Sequence, residues 1–407
     1  MSAAKPSTEA SALPILYRDT TEASAFHDAV WGRVFNERRD TSRSPKAVVL
    51  ASSASHIKAA VQLANEQGCR VSVRSGGHSW AAWSVRQEAI LIDLGNYQGV
   101  WYDEKTHVVS CTPSSTGRIV NGFLKEKGRM FAGGHCPDVG LGVSSCRAVW
   151  AGIARYEQLA ACENWGWACE NIASIEVVTA DGEELTCSET ENSDLFWAAR
   201  GSGPGLPTAD PDMEIVCVSK CNQDTGAIEI VAGFTVFKQT KEEAEAALRP
   251  IHDGRPADPA VDNAYVANDE DVPSVLEAAF TTLPSKKAFA LYFSMNPTSR
   301  RPLPDMALSM QSDHYFALYT VWEDAADDER CTAWVYDVMR DVERRSVGSY
   351  LGDADFRHRR TKYWSDAHGK KLMDVRRKWD PRGTVCGYLD VGDQSGVEGL
   401  KNEFEWS

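Results

Sequence analysis

Residues 47–79 constrain this chain most. Ala47-Val48-Val49-Leu50 is a short apolar run that reads as a strand. Ser53 or Ser55 is placed to cap a helix in which Ile57, Ala60, Val61 and Ala64 share one face, and Gly68 suits its C-terminal stop. Arg70 to Val73 then reads as a second strand. A strand, a helix and a strand this closely spaced predict a βαβ unit with a parallel pair. The second strand runs directly into Arg74-Ser75-Gly76-Gly77-His78-Ser79. Two glycines at the end of a strand let the backbone approach an anion, and their N–H groups can line a phosphate. Taken alone, such a turn is common, and His78 in it reads more often as a solvated loop histidine than as a ligand.

The rest of the chain divides into two compositional halves. Strands are expected at Ala89–Leu94 and His107–Cys111, and an amphipathic helix over Thr116–Lys127 that ends near Gly128. Ile172–Thr179 and Glu183–Cys187, joined by Ala180-Asp181-Gly182, predict a hairpin, and Asn192–Ala199 a short helix. Residues 201–212 carry three prolines and three glycines, which mark a domain boundary. Beyond it, Ile228–Phe237, Ala288–Met295 and Phe316–Trp322 read as longer strands, with helices over Lys241–Leu248 and Ala325–Arg344. That pattern predicts an antiparallel sheet backed by helices. Gly254–Pro273, rich in Asp and Pro, reads as an exposed loop, and the stretch after Asp212 is poorly patterned, with no strand expected in it.

At 407 residues the default is two domains. The net charge of −15 offers no basic surface to nucleic acid and disfavours an anionic membrane. No apolar run approaches a membrane span, and Met1 to Pro14 lacks the apolar stretch of a secretory signal, so a cytoplasmic protein is expected. Eleven cysteines without CxxC pairing read as reduced thiols rather than a metal centre.

A second element, Phe131-Ala132-Gly133-Gly134-His135-Cys136-Pro137-Asp138-Val139-Gly140-Leu141-Gly142, reads as an open loop presenting a thiol. In this order and spacing, the two elements resemble the PCMH-type FAD-binding domain of the vanillyl-alcohol oxidase superfamily, and within it the fungal berberine-bridge-enzyme-like branch. Ser44-Pro45-Lys46-Ala47-Val48-Val49, Ser193-Asp194-Leu195-Phe196-Trp197-Ala198-Ala199-Arg200-Gly201 and Lys378-Trp379-Asp380-Pro381 also resemble segments of that family. The resemblance implies an α+β fold with three parts. These are an FAD-binding domain over 1–206 built of two α/β subdomains, an apparently shortened antiparallel-sheet substrate domain over 207–349, and a segment over 350–407 that returns to the FAD side.

The resemblance also implies roles for residues. His78 would carry the flavin's 8α carbon and Cys136 its C6 position; imidazole and thiolate are the side-chain nucleophiles suited to an electron-poor ring. Arg74, Ser75, Gly76, Gly77 and Ser79 would cradle the pyrophosphate, Val139, Gly140 and Gly142 would complete the second loop, and Ile175 and Val177 would lie on the strand passing the adenine. Tyr350 and Tyr388 are the candidate bases near the ring, each equally readable as a packing tyrosine. The implied activity is an FAD-dependent oxidase passing hydride from a small metabolite, sugar or alkaloid-like, to flavin N5, with O2 reduced to H2O2, in secondary metabolism. Alternatives are a redox-neutral flavoenzyme and an inactive product of a mis-spliced gene.

The last alternative arises from two breaks in the pattern. Val143–Glu163, with Gly152 as its single glycine, replaces a glycine-rich run and is expected to loop out or crowd the ring. Leu206-Pro207-Thr208-Ala209-Asp210-Pro211 stands where the family continues for several dozen residues. Gly352 also replaces a common family asparagine.

Overall fold

The computed structural model of the chain describes residues 12–34, 43–77, 82–131, 138–141, 153–155, 168–201, 213–221, 228–236, 258–295, 298–300, 302–322, 324–351, 354, 359 and 361–386. Its N-terminal half is built on β1 (Ile15–Tyr17), α1 (Ala23–Trp31), β2 (Ala47–Leu50), α2 (Ala54–Glu66), β3 (Val71–Arg74) and β4 (Ile90–Asp93). Ser53 caps α2 by accepting from the His56 amide, and Gly68 follows the helix at φ +62°. Ala60, Val61 and Ala64 are buried on the α2 face turned to Ala47, Val49, Ile90 and Ile92.

The sheet order is β1-β2-β4-β3. The strands flanking α2 are parallel, but they do not pair with each other, because β4 enters between them and pairs with both. All four residues of β4 are buried, as a central parallel strand requires. The free edge of β3 is met by the far end of the chain: Val71 accepts from the Cys386 amide at 2.7 Å and donates to Thr384 at 2.8 Å.

Next come the hairpin β5 (Val100–Tyr102) and β6 (Val109–Cys111), then α3 (Gly117–Lys125), then β7 (Arg129–Phe131), which pairs with β8 (Ile153–Arg155). The hairpin β9 (Ser174–Val178) and β10 (Glu184–Ser188) turns through Gly182 at φ +81°, and α4 (Ser193–Ala199) buries Phe196 and Trp197.

The second half holds an antiparallel sheet, ordered β12-β11-β14-β15-β13-β16 among the described residues. Its strands are β11 (Met213–Cys221), β12 (Ile228–Val236), β13 (Asp258–Val266), β14 (Phe289–Ser294), β15 (His314–Trp322) and β16 (Ser346–Gly348). Helices α5 (Val272–Thr281) and α6 (Asp328–Glu343) cover one face, burying Val275, Leu276, Val335 and Met339 against Phe316 and Leu318.

Two expectations fail here. Gly254–Pro273 is not an exposed loop, since β13 lies inside the sheet and is buried from Ala260 to Val266. Its Asp262 survives burial because Arg359 donates to both carboxylate oxygens, at 2.6 and 2.7 Å. The patternless stretch after Asp212 forms β11, held by pairing on both sides rather than by any alternation of its own. The expected helix over Lys241–Leu248 and the 201–212 boundary beyond Gly201 lie outside the described residues.

A last helix, α7 (Asp366–Trp379), is capped by Ser365 and lies against α4. Asp194 accepts from Lys378 at 2.6 Å and from Trp379 at 3.0 Å, and Lys371 sits 4.0 Å above the Trp197 ring. The family-like segment ending at Gly201 is therefore a structural seam. Trp197 and Arg200 carbonyls accept from Ala307 and Leu308, and Gly201 accepts from the Trp364 indole.

Candidate functional site

The turn after β3 is built from the sheet outward. Arg74 is 2% exposed, and its guanidinium points inward to Asp93 and to the Ala29 and Val30 carbonyls at the end of α1. Burial pushes its pKa below the ordinary value, with Asp93 pulling the other way. Arg74 thus anchors the strand end from behind and leaves the loop's outer surface to backbone groups. Ser75 donates from Oγ to Pro113 at 2.6 Å, and its carbonyl accepts from Ser114 Oγ at 3.1 Å and Arg33 Nη2 at 2.6 Å. Among the described residues, no backbone carbonyl accepts from the amides of Ser75, Gly76 or Gly77.

Two glycines are required by space. Gly77 has φ +80°, and a Cβ there would stand 2.3 Å from the Arg33 carbonyl oxygen. Gly140, in the second loop, faces the first: a Cβ on it would stand 2.9 Å from Ser75 Oγ and 3.1 Å from the Gly76 nitrogen. The second loop is held there by the Leu141 amide donating to Ser115 at 2.9 Å, by a bridge from Thr116 to Gly140, and by the Arg118–Asp138 ion pair at 2.7 and 2.8 Å. The structure therefore brings Ser75, Gly76, Gly77, Val139 and Gly140 into one neighbourhood.

Glycine backbone at 76, 77 and 140, amides without backbone carbonyl partners among the described residues, and a cradle that one methyl would fill suit a diphosphate. These residues fit the pyrophosphate of FAD. His78, Ser79, Cys136, Gly142 and Tyr388 lie outside the described residues, as does Val143–Glu163 apart from the three residues of β8. Ile175 and Val177 are half-buried in β9, and no hydrogen bond joins them to Ser75–Gly77 among the described residues.

Tyr350 sits on the other half of the molecule, on the sheet face opposite the helices. Asn263, fully buried, accepts from the Tyr350 amide at 2.6 Å and donates to its carbonyl at 2.7 Å. The Tyr350 ring meets Tyr315 edge-on at 6.2 Å, and Tyr315 meets Tyr265 at 5.5 Å and Phe293 at 6.1 Å. Phe289 and Tyr319 stack at 4.8 Å on the same face. Behind Tyr350, buried Arg359 donates to the Asn263 carbonyl and Ser349 Oγ, and its Nη1 lies 2.8 Å from Glu343 Oε1, outside hydrogen-bonding angles. Burial opposes the Arg359 charge, but Asp262 and Glu343 outweigh it and hold its pKa above the ordinary value.

Arg33, Ser114 and Asn263 escaped sequence reading. The run Thr112-Pro113-Ser114-Ser115-Thr116 carried a signal, being small, polar and poised before a helix; Arg33 and Asn263 carried none.

The phosphate-type loop, the mixed N-terminal half and the helix-backed antiparallel sheet together define a flavoprotein of the PCMH-type FAD-binding fold. The FAD binding domain family matches residues 45–188. The FAD-linked oxidoreductase nodO of Hypoxylon pulicicidum is 31% identical, over 93% of this chain and 97% of its own length. That alignment runs over 446 positions, more than the 407 residues of this chain, so the relative has residues without a counterpart here. Among solved structures, xylooligosaccharide oxidase from Myceliophthora thermophila C1, in complex with xylobiose, superposes with a TM-score of 0.68 at 19% identity, over 91% of this chain and 94% of that one. Physcomitrella patens BBE-like 1 gives 0.70 at 13% identity, over 97% of each chain. The chain belongs to the fungal FAD-linked oxidoreductases of berberine-bridge-enzyme-like fold, and it is an enzyme that uses FAD.

Proposed function

We propose that this enzyme is an oxidase of a small metabolite, with a sugar or a compact alkaloid-like alcohol or amine as substrate and O2 as the second substrate. The observation that carries the reading is the glycine-lined meeting of Ser75–Gly77 with Gly140, which suits the diphosphate of FAD, in a chain of the FAD-linked oxidoreductases; the aromatic cluster of Tyr315, Tyr265 and Phe293 in the second sheet is buried core beneath Tyr350. The relative whose structure is named as an oxidase of xylooligosaccharides supports a carbohydrate. When bound, FAD supplies the acceptor for the substrate's hydride and passes the electron pair to O2, giving H2O2.

The chain's own residues then have separable tasks. Ser75 to Gly77 and Gly140 hold the diphosphate, with Ser79, Val139 and Gly142 extending the two loops, and His78 and Cys136 attach the ring covalently. Tyr350, fixed through its backbone by Asn263, and Tyr388 are the candidates to take the substrate's hydroxyl or amine proton. Ile175 and Val177 border the adenine. The domain partition is 1–206 and 350–407 for flavin and 207–349 for substrate. The bonds from Asp194 to Lys378 and Trp379, and from Val71 to Thr384 and Cys386, support this return of the C-terminal segment. No helix among the described residues is long and apolar enough to cross a membrane. A role in secondary metabolism rests on the resemblance alone.

The test is spectroscopic and chemical. Purified protein should be yellow, and the colour should stay in the pellet after acid precipitation, with flavin mass on the peptides containing His78 and Cys136. Anaerobic addition of the right sugar or alcohol should bleach the flavin, and air should restore it with one H2O2 per turnover. Bleaching without H2O2 on reoxidation would remove the oxidase assignment, and flavin released wholly by acid would remove the covalent one.

A further inference from the structure

Arg33 lies two residues beyond α1 and touches the flavin-phosphate loop twice. Its carbonyl oxygen backs Gly77, at a distance that excludes any β-carbon. Its guanidinium reaches forward to the Ser75 carbonyl at 2.6 Å and binds Asp93 Oδ1, while the other Asp93 oxygen accepts from Arg74 Nε at 2.6 Å. Gly95 leaves the room this requires, since a Cβ there would stand 2.3 Å from Arg33 Nη1. The guanidinium borders a cleft of about 300 Å³ at the carboxyl ends of β2, β3 and β4, lined also by Asp28, Leu50 and Asn96. Carboxyl ends of parallel strands are where open α/β sheets bind ligands.

The Ser75–Gly76 peptide is the consequence. In a planar trans peptide the C=O and N–H point in opposite directions. Arg33 and Ser114 both bond the Ser75 carbonyl, so they turn the Gly76 N–H away from themselves; no backbone carbonyl accepts from it among the described residues, and Gly140 packs beside it without a side chain. A surface Arg–Asp pair would matter little by itself. This one is partly buried and shares its arginine with a loop carbonyl.

We infer that Arg33 is the positioning residue of the flavin-phosphate loop, fixing the Ser75–Gly76 peptide so that the Gly76 N–H is presented to the diphosphate. The inference rests on the binding of FAD at Ser75–Gly77. Arg33 acts through the peptide and needs no contact of its own with the cofactor.

The test uses the full-length chain, purified as expressed and also flavin-free from a riboflavin-starved host. Dissociation constants are measured for ADP and riboflavin, and the rate of flavin uptake for FAD, in wild type, Arg33→Met, Arg33→Lys and Ser114→Ala. Arg33→Met should weaken ADP and slow FAD uptake by about tenfold or more, as for loss of a charge-assisted hydrogen bond, with riboflavin unchanged. Its as-purified flavin content should fall, while the melting temperature of the flavin-free protein stays put. Arg33→Lys should recover part of the ADP affinity, because an ammonium reaches one of the two acceptors.

Wild-type ADP affinity in Arg33→Met overturns the inference. So does equal loss of ADP and riboflavin accompanied by a lower melting temperature, which marks a purely structural arginine. If Arg33→Met does not fold, Ser114→Ala decides, since it acts on the same carbonyl: reduced ADP affinity with riboflavin unchanged supports the inference, and unchanged ADP affinity refutes it. Wild type that binds neither FAD nor ADP refutes FAD binding at this loop, a different failure.

Discussion

Gly140 shows how little space the site allows at a single residue. A methyl group there would sit 2.9 Å from Ser75 Oγ and 3.1 Å from the Gly76 nitrogen, against the amide proposed to face the diphosphate. Gly140→Ala is therefore expected to lower the flavin-to-protein absorbance ratio several-fold, while the flavin-free protein melts within a few degrees of wild type. Asn263 makes the opposite case, a buried polar side chain whose two bonds go to one backbone residue. Asn263→Ala leaves the Tyr350 N–H and C=O without that partner and should cost about 1–3 kcal/mol in a denaturant titration. At this scale the sequence was half legible. Gly76, Gly77 and Gly140 announced themselves, because glycines near a strand end have few other reasons to cluster. Asn263 did not, because a buried asparagine is written like any polar residue until its partner, 87 positions away, is known.

Among elements, the seam between α4 and α7 and the anchor behind β13 respond to pH with opposite signs. Burial alone would raise the Asp194 carboxyl, but bonds from Lys378 and Trp379 outweigh it and hold its pKa below the ordinary carboxylate value. The stability this gives is present above the unfolded pKa and is lost as pH falls through the folded one. Limited proteolysis around α7 should thus accelerate below about pH 4, the ordinary aspartate range, and in Asp194→Asn the acid dependence should be absent. Glu343 is the reverse case: burial raises its pKa, with Arg359 opposing. Its contribution is present below the unfolded carboxylate pKa and is lost as pH rises through the raised folded value. Glu343→Gln should accordingly flatten that part of the stability-versus-pH curve. The same neighbourhood explains why β13 was misread as a loop. Asp258, Pro259, Asp262 and Asn263 look like turn residues, and only Arg359, nearly a hundred positions later, makes an acidic strand residue tenable in the interior. Elements whose polar residues find local partners, such as α2 with its Ser53 cap, were legible; those completed from a distance were not.

Across the whole molecule, the N-terminal half is tied to the segment after α7. Arg70 donates to the Gly383 carbonyl at 2.8 Å, Arg376 to the Val385 carbonyl at 2.7 Å, and Arg382 to Asp181 at 2.5 Å. A chain ending at residue 379 loses all three of these bonds and exposes the edge of β3. It should purify without flavin and aggregate, whereas in the full chain unfolding and the change in flavin fluorescence should coincide in a single transition. Scanning calorimetry with flavin fluorescence as a second probe checks this. A truncated protein that still holds flavin would show that the loop needs no help from the C-terminal segment.

The bridge from Val71 to Thr384 and Cys386 also sets an order in time. The strand that ends in the phosphate-type loop emerges from the ribosome early, but among the described residues its outer edge is met only by segments more than three hundred positions later. An open strand edge is sticky, and contacts so distant in sequence form slowly. The strand leading into the loop therefore gains this neighbour only after residue 386 has been made. Stable flavin loading should therefore follow the docking of residues 384–386 on β3, and a chain released before they are made should contain every loop residue without a stable place for the cofactor.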